Sequence, residues 1–391
     1  MKPEAPVTAS ASDTHPAVRT RLRYARLPVL AMSMVALLMA LWAGLLRLGF
    51  DLPVIKARFY LPHGPLMVCG FLGTLISLER AVALGEWWEY AAPALSGTGA
   101  IALMLGASDP IGAGLITLGS AGLIGIFALI VHRQTALFTI TMTLGAVAWF
   151  VGNCLWLAGV PMMDMFFWWT GFLVLTIAGE RLELSRLTGP GERNRALFVF
   201  GAGAMLAGLT IGLRFPSPGM RIAGLGMLAI AFWLLRYDLA RRTVRQRGLT
   251  RFMAINLLAG YFWLGAGGIA WMWFGGDLTT FHYDVMLHTI FLGFVFSMIF
   301  AHAPVIFPAI VQRPLPYNGR FYAHSALLHA SLMLRIGGDL APSYSAFELG
   351  GLLNVAALLL FVGNTGQAVL SGILRSRQPA SALPAARRGA P

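Results

Sequence analysis

The sequence predicts an all-α polytopic membrane protein with about twelve transmembrane helices. Three observations carry that expectation. The chain is 57% hydrophobic and 12% charged, with a mean hydropathy of +0.71, whereas soluble domains carry about 25% charged residues. Its apolar stretches are long and continuous rather than alternating, which is the pattern of spanning helices and not of a barrel. Its Lys and Arg fall between those stretches in a regular alternation.

The elements follow in chain order. Residues 1–26, rich in Ala, Ser, Thr and Pro, read as a disordered N-terminal tail. The apolar run from Leu27 to Leu46 is long for a signal-peptide core and has no convincing small-residue cleavage site after it, so it reads as the first span. The spans are placed at 28–50, 62–84, 91–107, 111–132, 135–159, 162–184, 196–213, 218–240, 252–275, 284–311, 321–338 and 345–372. About 20 apolar residues suffice to cross ~30 Å of hydrocarbon. The division between the third and fourth spans rests on the short Ser108-Asp109-Pro110 break. Residues 27–373 thus form one transmembrane domain, and 374–391 read as a second disordered tail.

With the N-terminus inside, the inner segments hold 23 of the 29 Lys and Arg and the outer segments hold 6. The densest inner loop includes Arg241, Arg242, Arg245 and Arg247. This matches the positive-inside rule and places both termini in the cytoplasm of a multi-pass protein of the bacterial inner membrane. The net charge of +13 is spread between apolar runs, so the expected partner is membrane lipid and not nucleic acid. Cys69 and Cys154 lie inside apolar runs and form neither a disulfide framework nor a paired metal motif.

A repeat crosses this pattern. GFLGTLISLER begins at Gly70 and ends at Glu79-Arg80, and GFLVLTIAGER begins at Gly171 and ends at Glu180-Arg181; 6 of 11 positions agree without a gap. A weaker third copy begins at Gly293-Phe294-Val295 and places His302 where the Glu stands. The copies fall in the second, sixth and tenth helices, a spacing of four helices, as expected of an internally repeated membrane fold.

The histidines carry the functional reading. His63 sits in Leu61-Pro62-His63-Gly64-Pro65 at the outer start of the second helix, where Gly64 lets a bulky planar group approach the backbone. His288 lies about one turn into the tenth helix, which starts from the same face. Two imidazoles at similar depth are what six-coordinate haem needs; the bland alternative is two interfacial histidines bonded to backbone or headgroups. Lys56 and Arg58, outer cations against the charge trend, stand where haem propionates would lie; the equal alternative is a contact with lipid headgroups. A second metal site near the inner face would draw on His302 with His324, and with His329 nearby. It would be separate from the first, because His288 and His302 are 14 residues, or ~21 Å, apart along a helix. Trp168, Trp169, Trp271 and Trp273 stand where interfacial belts or cofactor walls would be, with the belt as the default reading.

At these residues the chain resembles the NnrS family and, more distantly, subunit I of haem-copper oxidases and nitric oxide reductases. The carriers are the His63-Gly64 turn followed by Gly70-Phe71-Leu72, the stretch from His288 to His302, and Arg313-Pro314-Leu315. The resemblance implies three four-helix arcs, as in cytochrome c oxidase subunit I, and haem b ligands that map to His63 and His288. It also implies a role in membrane redox or the nitric oxide response, with a redox partner or a small gaseous ligand. The sequence departs from the oxidases: its sixth and seventh helices contain no His, and the tenth lacks a His-x-His pair. Oxygen reduction at a binuclear centre is therefore not expected. The second-helix turn holds a single His, which puts the copper of NnrS-like proteins in doubt. The rival reading is a cofactor-free transporter or channel, against which stands the lack of evident charged pairs or broken helices at mid-membrane.

Overall fold

The computed structural model describes residues 16–53, 62–186, 191–312 and 315–377. Twelve helices account for nearly all of them: α1 (Pro16–Arg47), α2 (His63–Leu84), α3 (Ala91–Met104), α4 (Asp109–Arg133), α5 (Leu137–Leu157), α6 (Met162–Ser185), α7 (Glu192–Gly212), α8 (Pro216–Tyr237), α9 (Gly248–Phe274), α10 (Thr280–Val311), α11 (Phe321–Leu340) and α12 (Tyr344–Arg377). A single turn of helix, Ala240–Thr243, joins α8 to α9. Ten of the twelve are long and apolar enough to cross a membrane, so the protein is a polytopic helical membrane protein. The other two are α3, only 14 residues long, and α11, whose 20 residues include Arg335 and Asp339.

Local sequence explains most boundaries. Ser108 is extended (φ −60°, ψ 143°), and Pro110 follows in the first turn of α4, so the chain breaks between α3 and α4 as the Ser-Asp-Pro signal requires. Gly85 ends α2 in the left-handed conformation at φ 88°. One boundary differs from expectation: α1 begins at Pro16, inside the stretch read as tail. Pro fits a first helical turn, and the Ala, Arg and Leu that follow are good helix formers, which outweighs the polar composition.

Burial separates the helices into two populations. In α6, α10 and α2, respectively, 83%, 72% and 67% of the most apolar stretch is buried within the bundle, and no other candidate span exceeds 56%. These are the three repeat-bearing helices. They touch one another: the Gly64 backbone of α2 lies against the Phe166 ring of α6, Phe166 meets Phe291 of α10 edge-on at 6.4 Å, and Phe71 of α2 stacks on Phe296 of α10 at 6.1 Å. Among the other helices the most extensive packing is between chain neighbours: α7 with α8, α8 with α9, α11 with α12 and α3 with α4. The α7–α8 pair approaches most closely, since a Cβ at Gly208 would run into the backbone of Ala223.

Two of the central helices are not regular. Leu66–Gly73 of α2 and Thr289–Phe296 of α10 are wound as π-helix, whereas α6 is α-helical throughout. Such segments are rare and concentrate at functional sites. They begin three residues after His63 and immediately after His288.

The tryptophans divide differently from a belt. Trp273 is 77% exposed, as a belt residue would be, but Trp169 and Trp271 are fully buried and Trp168 is 8% exposed. The polar N–H explains two of them: Trp169 donates to Asn153 Oδ1 at 2.9 Å and Trp271 to the carbonyl of Met286 at 3.0 Å, so neither needs the membrane surface.

Candidate functional site: a two-histidine cavity

One end of the bundle carries the arginine-rich α8–α9 connection; the opposite, arginine-poor end holds a cavity of about 350 Å³. It is lined by the end of α1 and the starts of α2, α6, α10 and α12, with Arg335 from α11. Its size falls in the range of ~300–1,000 Å³ usual for ligand and cofactor sites. His63 and His288 both line it, among walls that include Phe166, Phe291, Phe296 and Phe347.

Each histidine is oriented by a hydrogen bond from the same ring atom. His63 Nδ1 lies 2.7 Å from the carbonyl of Ala40 on α1. A carbonyl can only accept, so Nδ1 carries the proton and the neutral ring keeps its lone pair on Nε2. His288 Nδ1 lies 3.1 Å from the carbonyl of Asp284, one turn earlier, and 3.0 Å from its Oδ1. The same reasoning leaves a bare Nε2 there. Metal-binding histidines are held in this way, with the second ring nitrogen donating to a carbonyl or carboxylate. Two imidazoles on one cavity, each with its Nε2 lone pair left over, are a donor set that would suit haem iron.

Small residues make the geometry available. A Cβ at Gly44 would stand 3.0 Å from the His63 ring, so this glycine lets the imidazole lie against α1. At Gly64 a Cβ would collide with the Phe166 ring. The planar group that approaches the Gly64 backbone is thus, in this structure, a phenylalanine of the chain itself. Gly64→Ala should lower thermal stability in detergent by about 1–3 kcal/mol through overpacking. Phe166→Ala should itself cost about 3–5 kcal/mol, and the double variant should lose less than the sum of the two; strictly additive losses would show that the two residues are not in contact.

The cavity also contains an ion pair that the histidine argument overlooked. Arg335 grips Asp284 with both ends of its guanidinium, Nε to Oδ2 and Nη2 to Oδ1, each at 2.7 Å. The side chains are 10% and 12% exposed. Gly350 and Gly351 of α12 make room for Arg335, and its guanidinium lies 5.1 Å from the Phe347 ring centre. Asp339, a turn further along α11, faces Asp284; both its carboxyl oxygens are buried without a donor among the described residues. A usable signal existed, since Arg335 and cavity-lining Arg47 are outer arginines that break the same charge trend as Lys56 and Arg58. Lys56 and Arg58 themselves, like Arg313 and Pro314, lie outside the described residues.

The inner-face histidines are placed apart from each other. His302 donates from Nδ1 to the Met298 carbonyl at 2.8 Å, and its Nε2 faces Arg181 Nη1 at 3.4 Å. Both nitrogens therefore have protein partners. His324 packs against Phe300 at 4.6 Å, and residues 300 and 302 project about 200° apart around a helix. His324 thus lies on the other side of α10 from His302. His329 accepts from Trp263 Nε1 at 3.1 Å. Among the described residues no three His, Cys, Asp or Glu side chains are grouped to hold a metal ion.

The repeat has a counterpart at the arginine-rich end. Arg80 joins Glu79, at 3.1 Å, to Glu180 on α6. Arg181 clamps Asp238 at the end of α8 through two 2.8 Å bonds while facing His302 on α10. Residues at matching repeat positions of α2, α6 and α10 therefore meet in one polar cluster.

Residues 26–370 match the family model described as a domain of unknown function, DUF8744. The chain belongs to the DUF8744 family. No curated protein matches it. In this DUF8744 protein the match reaches into every helix from α1 to α12 and includes the positions of His63 and His288.

Proposed function

We propose that this protein is a b-type haem protein of the bacterial inner membrane, NnrS-like and related in architecture to oxidase subunit I, acting in membrane redox or the response to nitric oxide. The observation that carries the reading is the pair His63 and His288: both line one cavity, and both have Nδ1 committed to a carbonyl acceptor. Haem would supply the electron transfer or gas-ligand chemistry. The chain's own residues hold the two imidazoles, surround them with phenylalanine, and present Arg47 to anionic substituents. Lys56 and Arg58 belong to the same proposal as further cations beside His63.

The finer fold reading is part of the proposal: twelve spans, N-in and C-in, in three four-helix arcs around α2, α6 and α10. The burial ranking of these helices and the meeting of their repeat positions support it. Copper has no assigned ligands here.

A transporter is the second reading, against which the sequence sets a lack of charged pairs and broken helices at mid-membrane. The π segments of α2 and α10 favour it; the buried pairs Asp284–Arg335 and Arg181–Asp238 lie toward helix ends. Charges within spans commonly mark transport pathways. Haem quantification of the protein purified from membranes separates the readings. The haem reading expects about one haem per chain, present as purified or after loading with haemin. Protein that stays colourless after loading removes it.

A further inference from the structure

The two cavity histidines have unequal supports. His63 donates to a neutral carbonyl, Ala40 O, at 2.7 Å. His288 donates to a carbonyl and also to a carboxylate, Asp284 Oδ1, at 3.0 Å. That carboxylate is fixed from the other side by two 2.7 Å bonds from Arg335, which the Gly350-Gly351 pair and Phe347 hold in place. A carboxylate on the far nitrogen of a ligating imidazole orients the ring and makes its lone pair a stronger donor.

We propose that Asp284, braced by Arg335, is a positioning residue that makes His288 the stronger of two unequal axial ligands and so sets the reduction potential of the metal they hold. The inference rests on the haem reading and deepens it. A stronger anionic donor favours the ferric over the ferrous state, so Asp284 holds the potential down. Arg335 moderates the effect by drawing on the same carboxylate. Three charged or titratable side chains surround Asp284: Arg335 and Asp339 from α11, and His288 from its own helix. The carboxylate closest to the ring dominates, because it alone touches Nδ1.

The pair also has a plain structural role, as a brace between α10 and α11, and the test must tell the two apart. The experiment uses the full-length protein in detergent, loaded with haem, and reads haem content, the ferric low-spin electron paramagnetic resonance signal and the midpoint potential. Asp284→Asn should retain haem and a six-coordinate low-spin spectrum. It should move the oxidised-to-reduced balance at fixed potential at least about tenfold toward reduced haem, about +59 mV for a one-electron couple. Asp284→Glu should return the potential toward that of the parent protein. Because Asp284→Asn leaves Arg335 buried without its partner, Asp284→Asn/Arg335→Gln serves as the second variant. It removes both charges, and the proposal expects a raised potential there as well.

A parent-like potential in the double variant would make the pair a brace only and overturn the inference. So would a parent-like potential in Asp284→Asn itself. Failure of the haem reading shows earlier and separately, as an absence of haem from the parent protein.

Discussion

Under the haem proposal, replacing either His63 or His288 with Ala should abolish the low-spin haem spectrum while the chain remains in the membrane. The size of the effect follows from the geometry. Each imidazole lies on the cavity wall with its Nδ1 proton committed, so each offers one bare Nε2, and among the described residues no third histidine lines the cavity. His302 is on the same helix as His288 but 14 residues away, ~21 Å along the axis. Its own Nε2 is occupied by Arg181. Loss of one ligand should leave a five-coordinate, high-spin iron or none, and loss of both should leave none. The surrounding helices are held by contacts that the imidazoles do not make, so membrane insertion should be unaffected. Absorption spectra of both single variants decide this, and a retained low-spin spectrum in either one removes that histidine from the site.

Arg181→Met destabilises the folded bundle by about 3–5 kcal/mol, the usual cost of leaving one member of a buried ion pair alone. Arg181 and Asp238 side chains are 5% and 0% exposed. Without the guanidinium, Asp238 keeps the Ala240 N–H at 2.7 Å and the neighbouring buried Tyr261 hydroxyl, neither of which carries a charge. Replacing both partners, as Arg181→Met/Asp238→Leu, should cost much less, since a buried pair exchanged for apolar groups is often close to neutral. Denaturant titration in detergent measures the three stabilities. A loss below about 1 kcal/mol in the single variant would show that water reaches Asp238 and that the clamp adds little.

Much of the helical framework was legible because hydropathy reports it directly. A span must be apolar over a fixed length, and breaks such as Ser108-Asp109-Pro110 carry their own backbone chemistry. The repeat was legible too, and it picked out the three most buried of the candidate spans, which face protein over most of their surface. The start of α1 was missed because a polar, proline-bearing composition hides residues that are individually good helix formers.

The site was only half legible. His63 and His288 stood out as polar residues at matching ends of two helices. Arg335 did not, because its partner Asp284 is 51 residues away and only the α10–α11 packing brings them together. The π segments leave no mark in composition, since the extra residue per turn changes register and not chemistry. Trp169 and Trp271 were misplaced because an indole suits a membrane interface and a hydrogen-bonded core equally well.

The most direct test of the central claim, that His63 and His288 together hold one haem, is the dithionite-reduced visible spectrum of the haem-loaded parent protein. Two axial imidazoles predict sharp, separate α and β bands that carbon monoxide does not displace within the time of mixing. A broad high-spin spectrum that carbon monoxide shifts at once, or no haem spectrum at all, would contradict it.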